Sequence, residues 1–118
     1  TLLKIAEAAL ETLRRALAAL IARQSAVEER MRAHEQSILA EQRLAMRDYE
    51  SQRAYGGFVQ LALQGKRALK AEQAAIEEEI HRMRGLIAHR NAQVRAADRI
   101  GGRAGQGQGR QARGGRAG

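Results

Sequence analysis

Residues 48–57 read DYESQRAYGG, and they hold the one plausible break in a chain that otherwise reads as helix. Gly56 and Gly57 each cost a helix interior about 1 kcal/mol relative to alanine. Asp48 or Ser51 is placed to cap a helix that follows. Upstream of the break a 3-4 spacing runs through Leu3, Ala6, Leu10, Leu13, Leu17, Leu20, Gln24, Val27, Met31, His34, Ile38, Glu41, Ala45 and Asp48. The pattern is clean through Met31 and then blurs, and Leu44 and Met46 point to a local shift of register. Downstream a second stripe runs through Phe58, Ala62, Gly65, Leu69, Gln73, Ile76, Ile80, Met83, Ile87, Arg90, Val94 and Ala97. A sustained 3.5-residue repeat keeps one stripe facing a partner helix, which is the coiled-coil condition. Glu11/Arg15, Glu28/Arg32 and Glu78/Arg82 add acid-before-base pairs one turn apart, each worth about 0.2–0.5 kcal/mol to a helix.

These readings predict an all-α chain. Residues 1–100 form a long antiparallel two-helix coiled-coil hairpin, with a helix over about 2–48, a turn within 48–57 and a helix over about 57–99. Each arm then has about 45 residues and a length of about 65–70 Å at 1.5 Å per residue, while a continuous rod of about 150 Å is the competing arrangement. One seam buries little, so the stability of an isolated hairpin should be modest, with something else covering part of it.

Composition agrees. The chain has 118 residues, of which 24 are alanine, with no Pro, Cys or Trp and only Tyr49, Tyr55 and Phe58 as aromatics. Three aromatics cannot fill a globular core of this size, and the Ala, Arg, Glu, Leu and Gln content is that of long helices. Lacking cysteine, the chain has no disulfide framework and no thiolate chemistry, so a reducing compartment is permitted. The longest apolar run, residues 16–22, is far short of the roughly 20 residues that span a bilayer. Nothing at the start reads as a signal peptide. The first residue is Thr1, so either a removed initiator methionine or a few missing residues is expected, and the expected location is the cytoplasm.

Composition changes at Ile100. Residues 101–118 hold eight Gly, four Arg, three Gln and three Ala. With no apolar side chain larger than alanine, this Gly/Arg-rich tail cannot offset its ordering entropy and is expected to be disordered. It carries +4 of the formal +8.

Catalytic arrangements are missing, and no enzyme activity, cofactor or metal is expected. His34, His81 and His89 are not spaced one turn apart, as ligands on one helix face must be. Ser25, Ser37 and Ser51 lack a strand-turn-helix elbow. Gly105, Gly107 and Gly109 have no strand before them and no Lys-Ser/Thr after them, which a phosphate loop requires. Glu77, Glu78 and Glu79 are consecutive, so they spread around a helix and read as a solvated face.

Tyr55-Gly-Gly-Phe58 stands directly before a helix rich in Gln, Arg and Leu, and a helix reading LRRALAALIARQSAVEERM (residues 13–31) precedes it. Over roughly residues 1–97 this arrangement resembles the FliJ family, the flagellar type III export stalk proteins, whose Tyr-x-x-Phe after the turn matches Tyr55 and Phe58. The resemblance implies a coiled-coil hairpin that couples a hexameric flagellar export ATPase to an export gate protein, with export chaperones as further partners. It also implies at most peripheral association with the membrane-bound apparatus, at the inner face of the cell membrane. Carried over by position, Tyr49, Leu61 and Ala62 join Tyr55 and Phe58 as the gate-binding residues at the turn end. Residues 2–20 and 86–99 would enter the ATPase ring, with Leu3, Arg14, Arg15, Val94 and Arg95 as contacts. The chain departs from the family at Ile100, where Gly/Arg sequence replaces the usual aromatic and Lys/Glu-rich continuation. An alternative reading is a small basic hairpin that binds nucleic acid or the ribosome through its Arg-rich faces and tail, because flexible Arg binds phosphate backbones non-specifically. The absence of aromatics from the tail counts against it.

Overall fold

The computed structural model describes residues 1–113, with side chains described through Gly101. The chain is a helical hairpin of two α-helices, α1 over Leu2–Ala45 and α2 over Tyr49–Arg113. Both helices start on a side-chain cap. The Lys4 N–H donates to Thr1 Oγ1 at 3.3 Å. At α2 the Ser51 N–H donates to Asp48 Oδ1 at 2.7 Å, and the Ser51 hydroxyl donates to Asp48 Oδ2 at 3.1 Å. Such caps satisfy amide donors that have no partner inside the helix.

The reversal is therefore Met46–Asp48, ahead of the glycine pair rather than at it. The sequence reading extends α1 to about residue 48 and starts α2 near 57; α1 instead ends at Ala45, and Gly56 and Gly57 lie inside α2. A helix tolerates glycine at an energetic cost, whereas an aspartate cap actively starts one. The Arg47 N–H closes the turn onto the Leu44 carbonyl at 3.0 Å, and the Gln52 N–H opens α2 on the Asp48 carbonyl at 3.1 Å. α2 continues past Ile100 to Arg113, because glycine raises the entropic cost of a helix without blocking it sterically, and no proline intervenes. The rest of the expected tail, residues 114–118, lies outside the described residues.

Two compact units make up the hairpin. The turn-bearing unit, residues 19–80, is an antiparallel helix pair with a buried seam of Leu20, Val27, Ala62, Ile76 and Ile80. Ile76, at 2% exposure, is its most deeply enclosed large side chain. Two ion pairs flank this seam. Arg30 Nη1 lies 3.0 Å from both carboxylate oxygens of Glu72, and Arg23 Nη1 lies 3.9 Å from Glu79 Oε2. Seven residues along α1 correspond to seven residues back along α2, so the heptad is kept in register. The terminal unit, residues 1–18 and 81–118, buries Ala6, Leu10 and Ala97 among its described residues. No polar or charged residue is buried among the described residues.

The stripes named from spacing are the seam. Every position of the first, from Leu3 to Ala45, is buried or half-buried, and only Asp48 in the turn is exposed. In the second, Arg90 alone is exposed. The expected register shift near Leu44 and Met46 does not occur. Both side chains point away from the seam, Met46 at 88% exposure, while Ile38, Glu41 and Ala45 carry the repeat to the end of α1.

Candidate partner-binding surfaces

In the turn-bearing unit, the first three turns of α2 carry all the aromatics. Tyr49 is 72% exposed, and the Arg53 guanidinium lies over its ring at 5.9 Å from the centroid, one turn along. Tyr55 and Phe58, three residues apart and both half-buried, stack with centroids 6.2 Å apart and ring planes at 23°. An offset pair of this kind is worth about 0.5–1.5 kcal/mol beyond its buried area. Leu61 is exposed, and the exposed Leu44 and Met46 add apolar surface near the reversal. Ala62 does not belong to this surface. Its side chain is buried in the seam, where a partner cannot reach it. The Asp48 carboxyl is held below its ordinary value by the Ser51 N–H and then by the Ser51 hydroxyl, so the cap is charged at neutral pH.

Within the same unit the seam carries one polar contact from helix to helix. His34 Nε2 lies 2.8 Å from the Ala62 carbonyl oxygen, a hydrogen bond in which the ring nitrogen donates. Gly65 faces the ring, and a Cβ there would stand 2.8 Å from His34 Cε1. Both residues lie on the stripes read from spacing, but spacing alone does not reveal that one fits because the other has no side chain.

In the terminal unit, Leu3 and Val94 are half-buried along the seam, and Arg14, Arg15 and Arg95 are exposed. Arg15 Nε lies 3.4 Å from Glu11 Oε1 on its own helix. The sequence reading passed over Leu2, Ile5 and Ile100, which are 67%, 67% and 62% exposed. They border a groove floored by Ala6 and Ala97 and edged by Arg90. The available signal was that Leu2 and Ile5 fall off the 3-4 stripe of Leu3 and Ala6.

Charge divides with the units. Residues 19–80 carry nine Lys and Arg against ten Asp and Glu, a formal −1, and the terminal unit carries twelve against three, a formal +9. Among the described residues no three His, Asp or Glu side chains converge on a possible metal position, and no helix is long and apolar enough to cross a membrane. Comparison with protein-family models, curated proteins and solved structures finds no match to this chain.

Proposed function

We propose that this hairpin is a coiled-coil stalk of a bacterial flagellar type III protein export apparatus, coupling the export ATPase hexamer to the export gate and serving export chaperones. The observation that carries this reading is the chemical difference between its units. The turn-bearing unit offers aromatics and is nearly neutral, whereas the terminal unit offers aliphatic residues among arginines. A hairpin with two dissimilar surfaces suits a protein that holds two different bodies. Exposed aromatics make good interface anchors, and an Arg-rich surface suits an acidic lumen. Leu3, Arg14, Arg15, Val94 and Arg95 then face the ATPase, and Tyr49, Tyr55, Phe58 and Leu61 face the gate.

Pull-downs with purified export ATPase and export gate test this. Truncating a buried interface aromatic costs about 2 kcal/mol or more, roughly 30-fold in affinity. Tyr49→Ala, at an exposed ring that supports no seam, should weaken gate binding by that order and spare the ATPase contact. Tyr55→Ala with Phe58→Ala should do the same. Arg14→Glu with Arg15→Glu should reverse the pattern. Failure to associate with the ATPase at low salt would refute the assignment. Retention of single-stranded RNA with a steep salt dependence would transfer it to nucleic acid.

A further inference from the structure

We infer that the turn-bearing unit pairs with a second copy of itself, side by side and pointing the same way, through the face on which Arg30 meets Glu72. Every residue of this face lies within residues 19–80, so the inference stands whatever the terminal unit binds.

The face is built from the residue that precedes each seam position. Such a row keeps the spacing of the seam and therefore stays on one side of it. The Arg30–Glu72 and Arg23–Glu79 contacts put the row of α1 and the row of α2 on the same side. Ala33 and Ala68 line one groove with the first of these pairs. On α1 the row carries Arg23, Arg30 and Arg47 and no acid, and on α2 it carries Glu50, Glu72 and Glu79 and no base. Alanine recurs every seven residues along α1, at Ala19, Ala26, Ala33 and Ala40, and the α2 row holds Ala54, Gly57, Ala68 and Ala75. All of these small residues are exposed. The opposite side, formed by residues that follow seam positions, mixes signs on each helix, with Glu28, Arg32 and Glu35 on α1 and Lys66, Lys70 and Glu77 on α2.

Charge identifies both the occupant and its direction. A symmetric pair uses the same patch on both subunits. A two-fold axis along the hairpin lays α1 of one copy on α2 of the other, so arginines face glutamates throughout. A two-fold axis across the hairpin lays α1 on α1 and α2 on α2, and like charges then face each other in every register. Charged rows beside a helix seam select partner and orientation in this way. Area agrees. From Ala19 to Arg47 the row spans about 42 Å of helix axis, and two helices side by side are about 20 Å wide. The face then offers about 800 Å² per copy, which is what a stable interface of standard size buries. Shape agrees as well, because small residues let paired helices approach closely. By the register of the two ion pairs, Leu44, 43% exposed, stands level with Gly57 and would meet Gly57 of the other copy. The hairpin alone does not need that glycine, since a Cβ there meets nothing within 4 Å. Of the residues assigned to the export gate only Leu61 lies in this face, and Tyr49 stays open.

Sedimentation equilibrium of the full chain tests the inference, with an expected mass twice the 13.0 kDa of one chain. Ala26→Gln with Ala40→Gln places a good helix former at exposed positions and holds the second copy off. It should raise the dissociation constant by roughly tenfold or more, with helicity by circular dichroism unchanged. Ser25→Gln with Ala74→Gln, on the opposite side, should leave the constant as it is. Arg23→Glu with Arg30→Glu makes the α1 row mostly acidic, and Glu72→Arg with Glu79→Arg makes the α2 row mostly basic. Each of these charge variants should be monomeric alone, and an equimolar mixture should dimerise. A single-chain mass at up to about 0.1 mM, where an interface of this size is assembled, would overturn the inference. So would a dimer that tolerates the glutamine substitutions at Ala26 and Ala40, a dimer lost through those at Ser25 and Ala74, or charge variants that stay apart when mixed.

Discussion

Replacing Gly65 by alanine should separate two opposing effects at one position. In a helix interior the exchange is worth up to about 1 kcal/mol of stabilisation. Gly85 shows that term alone, because a Cβ there meets nothing within 4 Å. At Gly65 the new Cβ would stand 2.8 Å from His34 Cε1 and 3.4 Å from Nε2, so the imidazole has to turn away. Turning pulls Nε2 off the Ala62 carbonyl, now 2.8 Å away, and a lost hydrogen bond of this kind costs about 0.5–1.5 kcal/mol net. An off-rotamer side chain adds about 0.5–1.5 kcal/mol. Gly65→Ala should therefore be about 1–3 kcal/mol less stable than Gly85→Ala. In a His34→Ala background the obstacle is gone, and Gly65→Ala should become stabilising, a change of sign across a double-mutant cycle. Urea unfolding of the four cycle members and of Gly85→Ala, followed by far-ultraviolet circular dichroism, measures this. Equal stabilisation by Gly65→Ala and Gly85→Ala would refute the helix-to-helix contact.

Ile76→Ala should cost about 2–5 kcal/mol, whereas Leu61→Ala, at an exposed position, should stay within about 0.5 kcal/mol of the parent; thermal melts compare them directly. The side chains of the Arg30–Glu72 pair are 59% and 41% exposed, so its coupling energy in a double-mutant cycle should not exceed about 1 kcal/mol and should fade in molar salt. The Asp48 carboxyl is lowered from 3.8 by its Ser51 bonds, so its contribution is complete above the unfolded value and is lost as pH falls through the folded one. The melting-temperature gap between the parent and Asp48→Ala should thus be constant near neutrality and close below about pH 4. Five glycines fall within residues 101–113, and each weakens a helix by about 1 kcal/mol, so amide protons there should exchange far faster than those around Ile76.

The seam was legible in the sequence because its signal is collective: a stripe of many residues outweighs Gln24, His34 and Glu41 as individual exceptions. The turn was less legible because a single carboxylate decides it. DYES starts a helix through Asp48 and Ser51, and Gly56-Gly57, the more conspicuous feature, does no more than tax one. Among the site residues, Tyr49 and Leu61 stand where a partner could meet them. Ala62 does not, because its place on the stripe commits it to the seam. Leu2, Ile5 and Ile100 were invisible to a search for periodic core, being apolar residues that the period leaves out.

Because both chain ends belong to one unit, closing that unit requires residues far apart in sequence, such as Ala6 and Ala97, to find each other across a long loop. Bringing ends together costs entropy that grows with the logarithm of the loop. The Asp48 reversal offers the shortest closure, so zipping begins there, and each heptad formed shortens the loop left for the next. On this entropy argument, pairing of the terminal segments is expected last in folding and first to open in breathing. A partner that grips those segments, whatever it is, acts as a clasp on the zipper, and slower hydrogen exchange along the terminal helices would report its binding before any change in average structure.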